Sequence, residues 1–210
     1  MRPPARKKPR IPKPQGYHHG DLRRALIMAA RHMVEDGGAQ ALSLRGAAQR
    51  AGVSAAAPYR HFEDRDALLA AVITEGFDEL TAATEAARSS AGDPLSAYLA
   101  VGEAYLGFAA MHPSLYQLMF GVECHKPDYP ALLEAGQLAF GVVLQAARDC
   151  GDAGLIGSRP PEQVALAGWT MVHGLASLHV DGVLGLVLPV PLPDAAAALF
   201  SILTDGVRPR

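Results

Sequence analysis

Two cysteines in 210 residues, Cys124 and Cys150, are too few and too far apart in sequence for a disulfide framework, and they form no Cys-x-x-Cys pair. No stretch reaches the roughly 18 uninterrupted apolar residues of a membrane helix. The first 20 residues lack the apolar run of a signal peptide. The expected setting is therefore the reducing cytoplasm, with no membrane partner. The chain has no Gly-x-Ser-x-Gly, no glycine-rich phosphate loop and no zinc-protease pattern, and its carboxylates are scattered, so neither an enzyme nor a resident metal or cofactor is expected. Few segments alternate β-branched and polar residues with period two, so strand content should be close to none. There is no internal repeat.

Hydrophobic residues make up 50% of the chain, enough for a substantial core. Charge is divided unevenly along it. Up to Ala70 there are 13 Lys and Arg against 6 Asp and Glu; beyond it there are 6 against 15. Such asymmetry suits an N-terminal part that meets a polyanion. The first 20 residues hold six cations, five prolines and no acid. Residues 1–18 are accordingly expected to be a disordered basic tail, able to lie along phosphates or to serve only as a solubilising terminus.

Helical periodicity begins near Asp21, the expected N-cap, with Leu22, Leu26, Ala29, Met33 and Val34 on one face and Gly37-Gly38 as the stop. Ser43 is placed to cap a short second helix ended by Gly52. Ser54 is placed to cap a third over 55–62. Asp64 would cap a fourth that runs to about residue 88. Further helices are expected near 94–111, 113–121, 129–150, 161–181 and 194–205, separated by glycine and proline breaks. The proline-punctuated VLGLVLPVPLP (183–193) is expected to be a loop pressed on something.

The stretch GVSAAAPYRHF (52–62) follows a helix, turns at a glycine and then offers small side chains before large ones. Two short helices crossing at alanines with a glycine turn describe a helix-turn-helix, whose second helix lies in the DNA major groove. Ala48 and Gly52 would let the two backbones approach. Ser54, Ala55 and Ala56 then bring the backbone close to base edges, where alanine methyls can meet thymine methyls. Tyr59 and His61 can reach phosphate oxygens, as can Ser43 and Arg45 at the start of the second helix and Arg65 at the start of the fourth. The bland alternative for residues 59–62 is the edge of an ordinary core helix.

Residues 21–80 resemble the DNA-binding domain of the TetR family of transcriptional regulators, through the small-residue crossing in RGAAQRAGVS, the Tyr59-x-x-Phe62 pair and the following acids, Arg65 and Leu68-Leu69. WTMVHG (169–174), with HPSLYQLMFG upstream, is similar to a subgroup with a Trp-His-Gly motif. The resemblance implies an all-α fold with a helix-turn-helix domain over 19–64 and a larger ligand-binding and dimerisation domain over 65–210. It implies a homodimer on a palindromic DNA operator, usually as a repressor. Alanines stand here where the family often carries glycine or threonine, and Arg65 stands where lysine is common.

Trp169 and His173 share a helix face. Together with Tyr98, Tyr105, Phe108, Tyr116, Met119 and Phe120 they have the composition of an apolar ligand pocket, although each is equally at home in a plain core and His173 could be a hydrogen-bonded core histidine. The expected effector is a small, hydrophobic organic molecule. The two C-terminal helices, rich in alanine and glycine, are the expected dimer bundle. The competing expectation is a metal- or redox-responsive regulator that uses His18-His19, His112, Cys124-His125 or Cys150, at spacings poor for chelation.

Overall fold

The computed structural model describes residues 19–207, and the basic tail expected over 1–18 lies outside them. The described residues form nine α-helices and short 3₁₀ turns, with no strand among them. The helices are α1 (His19–Gly37), α2 (Leu44–Arg50), α3 (Arg65–Ser90), α4 (Pro94–Met111), α5 (Pro113–Phe120), α6 (Pro130–Asp152), α7 (Pro161–Val180), α8 (Val183–Val187) and α9 (Leu192–Val207).

Local chemistry accounts for most of these boundaries. Ser43, Asp64 and Asp93 each accept a hydrogen bond from the backbone N–H three residues on, at 3.1, 2.8 and 3.0 Å, and so start α2, α3 and α4. Proline occupies the first position of α4, α5, α6 and α7, where its missing N–H costs no helical bond. Helix α2 ends in a Schellman arrangement: Val53 N–H donates to the Ala48 carbonyl and Gly52 N–H to that of Gln49, with Gly52 at φ 71°. A side chain at that φ would be strained, which is why glycine stands there. Gly52 has no neighbour that a Cβ would touch, so its role is the turn and not close approach.

Three expectations need correction. Helix α1 starts at His19, so Asp21 lies inside its first turn instead of capping it. The apolar 183–193 stretch is not a pressed loop: it contains α8, buries only Leu184, and leaves Leu186 and Val187 86% and 77% exposed. The third helix does not form as an α-helix. Residues 58–60 make a single 3₁₀ turn, preceded by a turn in which Ala57 N–H donates to the Ser54 carbonyl. Pro58 is the cause: with Ser54 as the cap, the residue at 58 must supply the first α-helical N–H, and proline has none.

The 26-residue α3 is the centre of the fold and packs against α1, α4, α5 and α6. Leu68, Leu69, Val72 and Ile73 bury against Leu26, Ile27 and Val34 of α1; further along, Phe77 and Leu80 join Tyr105, Leu115 and Val172 in the same continuous apolar cluster. A boundary drawn between residues 64 and 65 therefore falls at the start of a helix that serves both halves. Helix α6 alone among the described helices is long and apolar enough to pass for a membrane span by composition. Its Leu132, Ala135, Val142 and Ala146 are buried, while Leu133 and Leu138 are 41% and 57% exposed.

Close helix approach depends on Gly168 of α7. A Cβ there would lie 2.1 Å from the Tyr98 hydroxyl oxygen and 3.0 Å from its ring, and Tyr98 is buried and tied to the Val164 carbonyl, so it cannot yield. Gly168→Ala should destabilise the fold by about 1–3 kcal/mol by overpacking. Gly141→Ala on α6, where a Cβ meets nothing, should instead stabilise by about 0.5–1 kcal/mol. Denaturant unfolding of the two variants checks both signs.

Candidate DNA-reading surface and effector cavity

In the segment 54–62, Pro58 and Phe62, four residues apart, are buried, while Ser54, Ala55, Ala56, Tyr59 and Arg60 are exposed. The core anchors the segment from beneath, and its small residues and Tyr59 face outward. Tyr59 is 62% exposed. His61 is half-buried. The guanidinium of Arg23 lies over the Phe62 ring, 5.5 Å from its centre, and closes the inner side. Ser43 caps α2, and Arg45, two residues on in its first turn, is exposed.

Arg65 does something else. Its Nε donates to the Leu42 carbonyl at 3.1 Å, one terminal nitrogen to the Ala39 carbonyl at 2.7 Å, and the other to Asp66 at 3.0 Å. The side chain is thereby committed to the turn between α1 and α2, and the phosphate contact expected of it is not where its guanidinium lies. Arg60, passed over in the sequence reading, is the exposed cation beside Tyr59; the signal for it was its place one residue after Tyr59 on a segment whose inward positions are 58 and 62.

In the second half, α3, α4, α5, α6, α7 and α9 line a cavity of about 70 Å³. Of the residues expected to line it, Tyr98, Tyr105, Phe120 and Trp169 do so. Phe108 and Met119 are buried in ordinary core, Phe108 against His112 and Met119 against Gly76. Tyr116 and His173 lie behind the wall. His173 Nδ1 is 2.7 Å from the Tyr116 hydroxyl and 2.8 Å from that of Tyr105, and the two hydroxyls are 3.3 Å apart. The imidazole stacks on Trp169 and meets Phe120 edge-on. It is thus a hydrogen-bonded core histidine, held by two phenols, whose aromatic neighbours face the cavity.

The sequence reading missed Phe77, Leu80 and Thr84 of α3, Phe140 of α6, and Phe200 and Leu203 of α9 in the lining. Helical spacing on α3 could have extended its inward face that far, but nothing in sequence orients α9. Glycines on three helices, Gly102, Gly136 and Gly168, also line the cavity, Gly102 close against the Phe200 ring and Gly168 against the Tyr98 hydroxyl.

Burial sets the protonation states. It pushes the Tyr98 and Tyr105 phenols far above their ordinary range, so both remain neutral donors, and it lowers the His173 imidazole below its ordinary value of 6.5. Cys150 is raised to about 11 and Cys124 also upward, again by burial, so neither is a ready thiolate. Among the described residues no three His, Cys, Asp or Glu side chains are grouped to hold a metal ion.

A helix-turn-helix anchored to a long shared helix, with an apolar cavity in the helical remainder, defines the class of helical DNA-binding regulators. Comparison with known proteins makes the class specific. Residues 26–72 match the family described as bacterial regulatory proteins, tetR family, and residues 98–207 match the tetracyclin repressor-like C-terminal domain. The chain belongs to the TetR family of transcriptional regulators. The C-terminal match does not single out the Trp-His-Gly subgroup. A solved structure of a protein of unknown function from Rhodococcus sp. RHA1 is 35% identical, covers 93% of this chain and 100% of its own, and superposes with a TM-score of 0.83. A TetR family transcription regulator from Marinobacter aquaeolei VT8 shares the fold at 20% identity and a TM-score of 0.66, over 90% of this chain and 96% of its own. HTH-type transcriptional regulator Rv1816 of Mycobacterium tuberculosis is 30% identical over 98 residues, 46% of this chain but only 42% of that relative's length.

Two tests follow from the side-chain placements. Tyr59→Ala should leave thermal stability unchanged and weaken binding to all DNA sequences alike, measured by anisotropy on several duplexes. Arg65→Ala should instead lower unfolding stability by about 1–3 kcal/mol through its lost carbonyl bonds. Because His173 has a lowered pKa in the fold, its contribution to stability is complete above pH 6.5 and declines as pH falls toward the lowered value. His173→Gln should flatten the acid limb of stability against pH; a limb of unchanged steepness would assign it to other groups.

Proposed function

We infer that the protein is a ligand-responsive repressor that binds a palindromic operator as a homodimer and is released by a small hydrophobic molecule. The observation that carries this reading is that one helix, α3, both begins directly after the DNA-facing segment and walls the cavity through Phe77, Leu80 and Thr84. A molecule that enters the cavity must push on that helix. Ligand binding then favours a separation of the two DNA-facing segments that no longer matches successive major grooves, a population shift worth about 1–3 kcal/mol in usual allosteric systems.

A single chain offers one such segment, whereas a palindrome needs two about 34 Å apart. The surface suited to pairing is the outer side of α7 and α9. Leu166 and Leu178 of α7 and Ile202 of α9 are 54%, 45% and 66% exposed, beside the small side chains of Ala167, Gly174 and Ala198. Apolar groups this exposed on adjacent helices suit a four-helix bundle with a second copy.

Sedimentation at micromolar concentration should give a dimer, and the double variant Leu166→Asp with Ile202→Asp a folded monomer. Selection of bound DNA from a random pool should yield a palindrome with half-sites about 10 base pairs apart, centre to centre. A monomeric wild type, or no enriched sequence, would refute the reading.

A further inference from the structure

Resting on the reading of the cavity as the effector site, the chemistry of its wall narrows what can bind there. No Lys, Arg, Asp, Glu, His, Asn, Gln or Ser lines it. An ion placed there would lose its hydration without a counter-charge, a cost that ordinarily prevents binding. For a neutral polar ligand the deciding feature is the wall's supply of hydrogen-bond donors.

Four side chains on the wall carry a donor, Thr84, Tyr98, Tyr105 and Trp169, and each is committed within the protein. Thr84 donates to the Leu80 carbonyl at 2.8 Å, and Tyr98 to the Val164 carbonyl at 2.9 Å. The Tyr105 hydroxyl is directed behind the wall, 2.8 Å from His173 Nδ1 and 3.3 Å from the Tyr116 hydroxyl, and the Trp169 indole N–H hydrogen-bonds it in turn. No buried side-chain nitrogen or oxygen among the described residues lacks a partner. The backbone adds no donor either. Every lining residue stands past the four N-terminal positions of its helix, so its N–H is spent on the carbonyl one turn back, even at Gly102, Gly136 and Gly168. Acceptors behave differently, because a bonded carbonyl or hydroxyl oxygen keeps a second lone pair. The wall can therefore receive a hydrogen but has none to give.

We propose that the effector is an uncharged, hydrocarbon-like molecule that accepts no hydrogen bond from the protein, and that any carbonyl or ether oxygen it carries into the cavity counts against binding. Its body lies among the rings of Phe77, Phe120, Phe140 and Trp169, which recognise it by shape and ring contact. The cavity as it stands is about 70 Å³, roughly half of the about 150 Å³ in which an engineered apolar cavity takes up benzene. Even a single-ring ligand must part the wall, which gives it leverage on α3 through Phe77.

Trp169 is the sole tryptophan and lines the cavity, so its fluorescence reports occupancy directly. The full chain is titrated with ethylbenzene, acetophenone and benzoate, three single-ring probes that differ in acceptor and charge. Octanol supplies the reference: it donates hydrogen bonds, so the ratio in which ethylbenzene and acetophenone enter it from water is the preference expected of a wall with a free donor. Ethylbenzene should bind more tightly than acetophenone by about 10-fold beyond that ratio, and benzoate at least about 100-fold more weakly than ethylbenzene. Leu99→Gln puts an amide donor on the wall at a half-buried helical position, and there the excess should shrink by about 3- to 10-fold, the span of one net hydrogen bond. Should that variant fail to fold, the wild-type excess over octanol decides alone. A preference no larger than octanol's, an excess unchanged in folded Leu99→Gln, or benzoate binding as well as ethylbenzene overturns the proposal and leaves the effector cavity standing. If none of the three probes alters Trp169 emission, the cavity reading falls together with it.

Discussion

The interaction on which the structure depends is the burial of one continuous apolar face of α3 in two different surroundings. Leu68, Leu69, Val72 and Ile73 are fixed against α1, and Phe77 and Leu80 against the helices around the cavity. At 1.5 Å per residue, Leu68 and Leu80 are separated by about 18 Å along a single helix. A helix packed on both halves moves as a unit, because interiors at crystalline density resist deformation. Every proposed functional step therefore passes through this element. Its start is fixed by the Asp64 cap and by Arg65 on the carbonyls of Ala39 and Leu42, so motion of α3 is transmitted to the turn that holds α2.

The DNA-facing segment is shaped by covalent constraint more than by helix propensity. Gly52 supplies the left-handed turn, and Pro58 denies the α-helical bond, so a turn over 54–57 presents Ala55 and Ala56 and a 3₁₀ turn presents Tyr59, while Pro58 and Phe62 are anchored below. Buried side chains fix the position of the backbone, and exposed ones are left available for contact. The cavity repeats that division with rings in place of a groove: Trp169 and Phe120 face the void on one side and enclose His173 on the other.

Much of this was legible in the sequence, for physical reasons that can be named. Serine and aspartate caps and N1 prolines act within a few residues, so the starts of α2, α3, α4 and α7 fall where they were expected. The fold class followed from helical periodicity interrupted by glycine and proline. The third helix was expected from the Ser54 cap and the small residues after it, but Pro58 removes the first α-helical bond, which in so short a segment is the nucleating one. Arg65 was misplaced because its partners, the carbonyls of Ala39 and Leu42, are more than 20 residues distant in sequence. Half of the expected pocket residues face elsewhere, since aromatic composition identifies a cavity's material but not which side of each helix encloses it. His173 shows the limit well: its helix face was right, and only tertiary packing puts two phenols on its nitrogen.

The central claim is that filling the cavity and releasing DNA are one equilibrium joined by α3. It is tested most directly by following the emission of Trp169, the sole tryptophan, and the anisotropy of a labelled operator duplex in a single titration with ethylbenzene, a single-ring apolar probe. The account predicts that operator is released over the same concentration range in which the cavity fills. A cavity that saturates while the operator stays fully bound would contradict it.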